Sequence, residues 1–172
     1  QKGFIPVLTT NGTLLANGHQ IIEASPHKIQ ISLHSQEGNG REYPVEYVRE
    51  VMTFAGEAAS KGILVVLRLW NQGGYDHAND IILDWIAQYQ PRPWTERHDG
   101  WKLSENLYVE YDRMFEWPDS ERDEYEEVDV FCYALRNQIG VLVDGSVVPC
   151  CLDHNGDITL GNLFKQSLDD IL

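Results

Sequence analysis

The sequence predicts an α/β protein in two parts: a series of short strands alternating with helices, then a smaller segment built from turns and hairpins. Three observations predict it. Apolar, β-branched runs recur at Phe4–Leu8, Lys28–Leu33, Ile63–Leu67 and Leu107–Tyr111. Between them apolar residues return at helical spacing, most clearly Val45, Val48, Val51, Met52 and Ala55. Beyond a strongly acidic stretch the pattern changes to short runs separated by Asp-Gly and Asn-Gly turns. Strand–helix–strand repetition of this kind gives a parallel sheet or an arc of a barrel.

Each element has a local reason. The first strand ends at Asn11-Gly12, a turn dipeptide, and a short helix is expected over Leu14, Leu15, His19, Ile21 and Ile22. The second strand is bounded by Pro26 and Gly38. The helix from Val45 ends at Lys61-Gly62, a basic last turn and a glycine stop. Ile63-Leu64-Val65-Val66-Leu67 is apolar throughout, as a strand covered on both faces should be. A further helix, Asp80 to Tyr89, halts before Pro91, and residues 90–106, with Trp94 and Trp101, read as a long functional loop or lid. After the acidic stretch, Ile139–Val143 and Ser146–Pro149 flank Asp144-Gly145 as a hairpin. A second turn at Asn155-Gly156 leads to Ile158–Leu160, and Ser167 caps a final helix from Leu168. These patterns divide the chain into 1–115, an acidic linker 116–130 and 131–172.

The composition excludes several classes. Thirteen Lys and Arg against 27 Asp and Glu leave a net charge of −14 over 172 residues, with a pI near 4.6. Such a chain does not bind nucleic acid by neutralising phosphates and does not dock on anionic lipid. No apolar run approaches a membrane span, and the first residues do not read as a signal peptide. The expectation is a soluble cytoplasmic protein. The charge is uneven: residues 110–129 hold ten acids against Arg113 and Arg122. Clustered like charges repel and stay solvated, so that window reads as a linker.

Ligand sites in parallel α/β folds gather at the carboxyl ends of the strands. Those ends hold Thr9, Thr10 and Asn11; Ser32, His34 and Ser35; Arg68 and Asn71; Asp112 and Arg113. The set suits a ligand bearing a carboxylate and hydroxyls. His34, a lone histidine after a strand with no cysteine near it, reads more as a structural donor than as a base or ligand. No H-x3-H or H-E-x-x-H pair, G-x-S-x-G elbow or phosphate-binding G-x4-G-K-[ST] loop occurs. Asp153 to Asp157 resembles the start of a calcium loop, but its twelfth position is Phe164, which cannot supply the required carboxylate.

The three cysteines, Cys132, Cys150 and Cys151, are too few and too clustered for a disulfide framework. Cys132 precedes the first hairpin strand and Cys150 follows the second, so both thiols come to one open end of the ribbon. Two thiolates held there are half of a four-cysteine metal or cluster site. Burial as small apolar residues is the other reading.

At this point the chain resembles a radical SAM enzyme with a C-terminal SPASM or twitch domain. Val7-Leu8-Thr9-Thr10-Asn11-Gly12 is similar to that family's third barrel strand. Ile29-Gln30-Ile31-Ser32-Leu33-His34 is similar to the fourth, although the family commonly has Asp where His34 stands. Leu64–Arg68 is similar to the fifth. Cys132-x12-Gly145-x4-Cys150, then Gly161-Asn162-Leu163 and the Ser167 helix, resembles the opening of the auxiliary-cluster domain.

The resemblance implies strands three to six of a partial (β/α)6 TIM-like barrel, followed by a hairpin-containing SPASM-like domain. It implies S-adenosyl-L-methionine and [4Fe–4S] clusters as cofactors, with Thr10, Asn11, Ser32 and Arg68 around S-adenosylmethionine and Cys132 and Cys150 on an auxiliary cluster. Cys151 has no place in the motif. The implied reaction cleaves S-adenosylmethionine to a 5′-deoxyadenosyl radical that modifies a substrate, possibly a peptide or protein, with an electron-donor protein as partner. The C-x3-C-x2-C motif of the cleaving cluster and the Gly-Gly-Glu stretch are absent from these residues. The expectation is therefore a fragment, inactive alone. From another class, the alternative is a non-catalytic α/β domain whose cysteines bind zinc or simply pack.

Overall fold

A computed structural model describes residues 3–34, 45–74, 76–118 and 131–172, and the chain divides into two compact units, Gln1–Phe115 and Glu116–Leu172. Most of the expected acidic linker, 119–130, lies outside the described residues.

The first unit is one six-stranded sheet with helices packed into a single core. Its strands are β1 (Val7–Thr10), β2 (Lys28–Ser32), β3 (Leu64–Gln72), β4 (Thr95–Arg97), β5 (Gly100–Ser104) and β6 (Leu107–Arg113), in the spatial order β1-β2-β3-β6-β5-β4. β1, β2, β3 and β6 are parallel neighbours in chain order. Helix α1 (Gly18–Ala24), preceded by a 3-10 turn at Leu15–Asn17, connects β1 to β2. Helix α2 (Val45–Ser60) precedes β3, and α3 (Asn79–Tyr89) follows it.

Strand alternation determines what each face carries. Ile29, Ile31 and Leu33 are fully buried, while Lys28, Gln30 and Ser32 between them are half-buried. With Val65, Leu67, Leu69, Leu107 and Val109 they form one core with Val48, Val51, Met52 and Ala55 of α2 and Ile82 and Ile86 of α3. Ala55, Ala58 and Ala59 let α2 lie close to the sheet. Each fully buried Ile or Leu here contributes about 1.5–3 kcal/mol of burial free energy. The opposite face, with Gln30, Ser32, Arg68, Trp70, Tyr108 and Glu110, is polar and aromatic.

Three expectations change. β1 begins at Val7, not Phe4, because Pro6 has no N–H to give the ladder; its carbonyl accepts the His27 N–H (3.0 Å), and Phe4 and Ile5 stay exposed. β3 runs five residues past Leu67, because β6 extends alongside it to Arg113. Residues 90–106 are not a long loop. They hold the antiparallel hairpin β4–β5, closed by His98 and Asp99 and paired through β5 to β6. The sheet is therefore mixed rather than wholly parallel. Gly100 permits the close approach: a Cβ there would lie 2.0 Å from the Val109 carbonyl oxygen.

The second unit is a small three-stranded antiparallel sheet, β7 (Gly140–Val141), β8 (Ser146–Val148) and β9 (Gly161–Asn162), followed by helix α4 (Leu168–Ile171). Side-chain-to-backbone bonds shape it. The Asp144 carboxylate accepts the Ser146 N–H and hydroxyl, both at 3.0 Å, which holds it below the usual carboxylate range. Gly145 takes φ +84°, and a Cβ there would meet the Phe164 ring at 2.8 Å. The third strand lies two to three residues later than expected from Ile158–Leu160. Asp153 accepts the N–H groups of Asp157 (2.8 Å) and Ile158 (3.0 Å), holding that stretch in a loop until the Leu160 N–H reaches Val147 O. The expected cap of the last helix is a capping box between Ser167 and Asp170.

Candidate functional site

In the first unit the carboxyl end of the sheet brings Ser32 and Arg68 together. They are register partners on β2 and β3, and Arg68 Nη2 donates to Ser32 Oγ at 2.6 Å. The guanidinium lies 4.3 Å from the centroid of the Trp70 ring, two residues along the same face. Glu110 of β6 is the register partner of Arg68 on its other side. A guanidinium fixed in this way offers a planar fork to a carboxylate.

His34 closes the same end by another route. β2 stops at Ser32 while β3 continues, so among the described residues no strand pairs with β3 on that side beyond Leu33. The Arg68 carbonyl already accepts the Leu33 N–H (3.0 Å), and the Trp70 N–H lies 3.3 Å from His34 Nδ1. Nδ1 also lies 3.1 Å from the Arg68 carbonyl oxygen, a contact that would need a proton on Nδ1. With the Arg68 carbonyl already accepting the Leu33 N–H, we assign Nδ1 as the acceptor of the Trp70 N–H and place the proton on Nε2. Burial lowers the His34 pKa, which favours this neutral ring.

Thr10 and Asn11 are placed differently. Thr10 is in register with Ile31, hence on the helix side, and its Oγ1 accepts the Gly12 N–H at 3.1 Å. Asn11 Oδ1 accepts the Thr13 N–H (3.1 Å) and hydroxyl (2.8 Å), and the Asn11 carbonyl accepts the Tyr47 hydroxyl at 2.6 Å. Both side chains therefore build the turn after β1. Thr9, in register with Gln30 and bonded to it at 3.3 Å, is the residue of that pair on the face of Ser32 and Arg68. Asn71 is buried and exchanges two 3.0 Å amide bonds with Asn79, tying α3 to the end of β3. Ser35 lies outside the described residues. Sequence reasoning missed Trp70 and Glu110; their signal, register against Arg68, exists only once the strands are paired.

In the second unit the Leu135 N–H donates to the Pro149 carbonyl at 3.3 Å, joining the segment just after Cys132 to the residue before Cys150. A tight loop, with Leu135 at φ +58° and a bridge between Ala134 and Gln138, holds that segment. The segment that follows Cys132 and the residue that precedes Cys150 thus meet at one end of the β7–β8 ribbon. Gly140 passes beneath: a Cβ there would meet the Cys150 carbonyl oxygen at 3.1 Å. All three cysteines are free, Cys132 and Cys151 exposed and Cys150 half-buried. Two accessible thiols fit an iron–sulfur cluster in donor chemistry and supply half of its usual four protein ligands. Among the described residues no three His, Cys, Asp or Glu side chains gather as a metal site.

Comparison with known proteins bears on this second unit. Residues 132–172 match SPASM, an iron–sulfur cluster-binding domain. The match begins at Cys132 and contains Gly145, Cys150 and the terminal helix, and it implies iron–sulfur cluster binding in this part of the chain and a radical SAM-associated role. No curated protein and no solved structure matches the chain. Among the described residues no helix is long and apolar enough to cross a membrane.

Proposed function

We propose that this chain is part of a radical SAM enzyme whose auxiliary iron–sulfur cluster is ligated by Cys132 and Cys150. The observation that carries this reading is the SPASM match over residues 132–172, which begins at Cys132 and contains Cys150. The parallel strands β1, β2, β3 and β6 serve as strands three to six of a partial (β/α)6 barrel. Bound clusters would supply single electrons: a cleaving [4Fe–4S] cluster for S-adenosylmethionine scission, ligated by residues outside these 172, and an auxiliary one on Cys132 and Cys150.

The chain's own residues bind and orient. Arg68, held by Ser32 Oγ and backed by Trp70, receives the carboxylate of S-adenosylmethionine; the β1 turn built by Thr10 and Asn11 borders the pocket. Neutral His34 fixes the backbone of Trp70 and so the support of Arg68. The substrate is a peptide or protein, the electrons come from a donor protein, and the setting is the reducing cytoplasm, where free thiols persist.

The test is 5′-deoxyadenosine formation by the full-length protein, reconstituted anaerobically and reduced with dithionite in the presence of S-adenosylmethionine. The expected result is nucleoside release, with Arg68→Ala weakening S-adenosylmethionine binding at least ~10-fold, as loss of a charged hydrogen bond worth about 1.5–3 kcal/mol requires. No 5′-deoxyadenosine from protein with intact clusters would overturn the reading.

A further inference from the structure

The β4–β5 hairpin carries a feature that the strand-end site does not use. Where α3 meets the hairpin, Leu83, Arg92, Pro93, Trp94 and Trp101 line a cavity of about 380 Å³. Its large walls are tied down at their polar ends. The Trp94 indole N–H donates to the Gln90 carbonyl at 2.7 Å. Arg92 lies 4.8 Å from the Trp94 centroid and 3.1 Å from the Asp84 carboxylate. The two indoles are tilted at 59° with centroids 6.3 Å apart. What remains for a visitor is apolar surface whose rotamers are already fixed, the arrangement that binds a side chain at least ordering cost.

Two neighbours indicate what that visitor is. β4 ends the sheet, and all three of its residues are exposed, so one side of the strand has no partner strand among the described residues. An unpaired edge accepts an extended peptide through main-chain bonds, with pockets reading alternate side chains. Trp94, a cavity wall, directly precedes that edge. On the same side of the sheet, Glu96 is in register with Trp101, and Asp80 and Asp84 project from α3. With Arg92 paired to Asp84, the charge left over is acidic, as is the chain as a whole at −14.

We propose that the β4 edge and its tryptophan cavity form a docking site for an extended basic peptide segment, with a large apolar side chain in the cavity and a Lys or Arg two residues along beside Glu96. The alternation follows from strand geometry, since residues i and i+2 share a face. This site rests on its own observations and stands whether or not the strand-end site binds S-adenosylmethionine.

The experiment titrates the full-length protein with capped, fluorescein-labelled peptides of the pattern Thr-X-Thr-Lys-Thr-Lys, where X is Leu, Phe or Ala, followed by anisotropy. The Leu or Phe peptide should saturate and bind ~10-fold or more tighter than the Ala peptide, in line with burying one large apolar side chain. Replacing both Lys by Glu should weaken binding several-fold, and so should Glu96→Lys, a change at an exposed position that leaves the core intact. Trp94→Leu should weaken the Phe peptide more than Glu96→Lys does. Absence of saturation at millimolar peptide would overturn the proposal. So would equal binding of the Leu, Phe and Ala peptides, indifference to Glu96→Lys, or self-association of the protein through this edge in place of peptide binding.

Discussion

The two units hold themselves together by different means. Residues 1–115 bury a continuous core, with Ile29, Ile31, Leu67, Leu69, Ile82 and Ile86 all at 0% exposure. In residues 116–172 the buried hydrophobics among the described residues are Val147 and Val148, while Phe131, Val143, Ile158 and Phe164 face outward. The second unit is shaped by glycine turns, Asx-type bonds and a capping box, each worth little alone. A segment this size without a core is ordinarily stabilised by a metal or disulfides. The difference shows where a cluster matters most: it would be a ligand of the second unit and also its main structural tie, whereas the first unit needs none.

This contrast can be broken in order of expected effect. Cys132→Ala with Cys150→Ala should remove the cluster and cost the second unit on the order of several kcal/mol, by comparison with structural metal sites. Hydrogen exchange would then show lost protection in 140–171 and unchanged protection in β2, β3 and α2. The reciprocal change, Leu67→Ala, should cost the first unit about 2–5 kcal/mol through the cavity it leaves, and should leave iron content unaltered. Gly145→Ala should cost about 1–2 kcal/mol and lower cluster occupancy, because it combines strained backbone at φ +84° with a contact on Phe164. Thermal melts read with iron analysis would separate that loss from one in the first unit.

The smallest expected effect is a dependence on pH confined to the first unit. Burial depresses the folded pKa of His34 below 6.5, its ordinary value, so the unfolded chain binds the proton more readily. Stability from this group is complete above about pH 6.5 and is lost as pH falls through the folded pKa. His34→Gln should flatten that part of the profile; an unchanged profile would mean that burial does not hold His34 neutral in the folded chain.

The residues that could be read from sequence were those with local signatures. Lys28–Leu33, the helix from Val45 and the Asp144-Gly145 turn follow from alternation, 3.6-residue spacing and turn chemistry. The β4–β5 hairpin escaped because its first strand, Thr95–Arg97, is short, charged and exposed, and is held by pairing with β5 rather than by its own pattern. Site residues divide similarly. Ser32 ends β2 as expected, but Arg68 lies within β3, and their hydrogen bond follows from the pairing of the two strands. Thr9 differs from Thr10 only by parity, which depends on where β1 enters register with β2; the Trp70 support of Arg68 likewise needs the strand in place. The hairpin between Cys132 and Cys150 could be read because its Asp144-Gly145 turn has a local signature.

The central claim is that Cys132 and Cys150 ligate an iron–sulfur cluster, and metal content tests it most directly. Iron and acid-labile sulfide should be counted in the anaerobically reconstituted full-length protein and in its Cys132→Ala, Cys150→Ala variant, with Mössbauer spectra of both. The account predicts that the variant loses one cluster's worth of iron and sulfide while any other cluster persists. Unchanged iron and sulfide in the variant, or zinc near one per chain in place of iron, would contradict it.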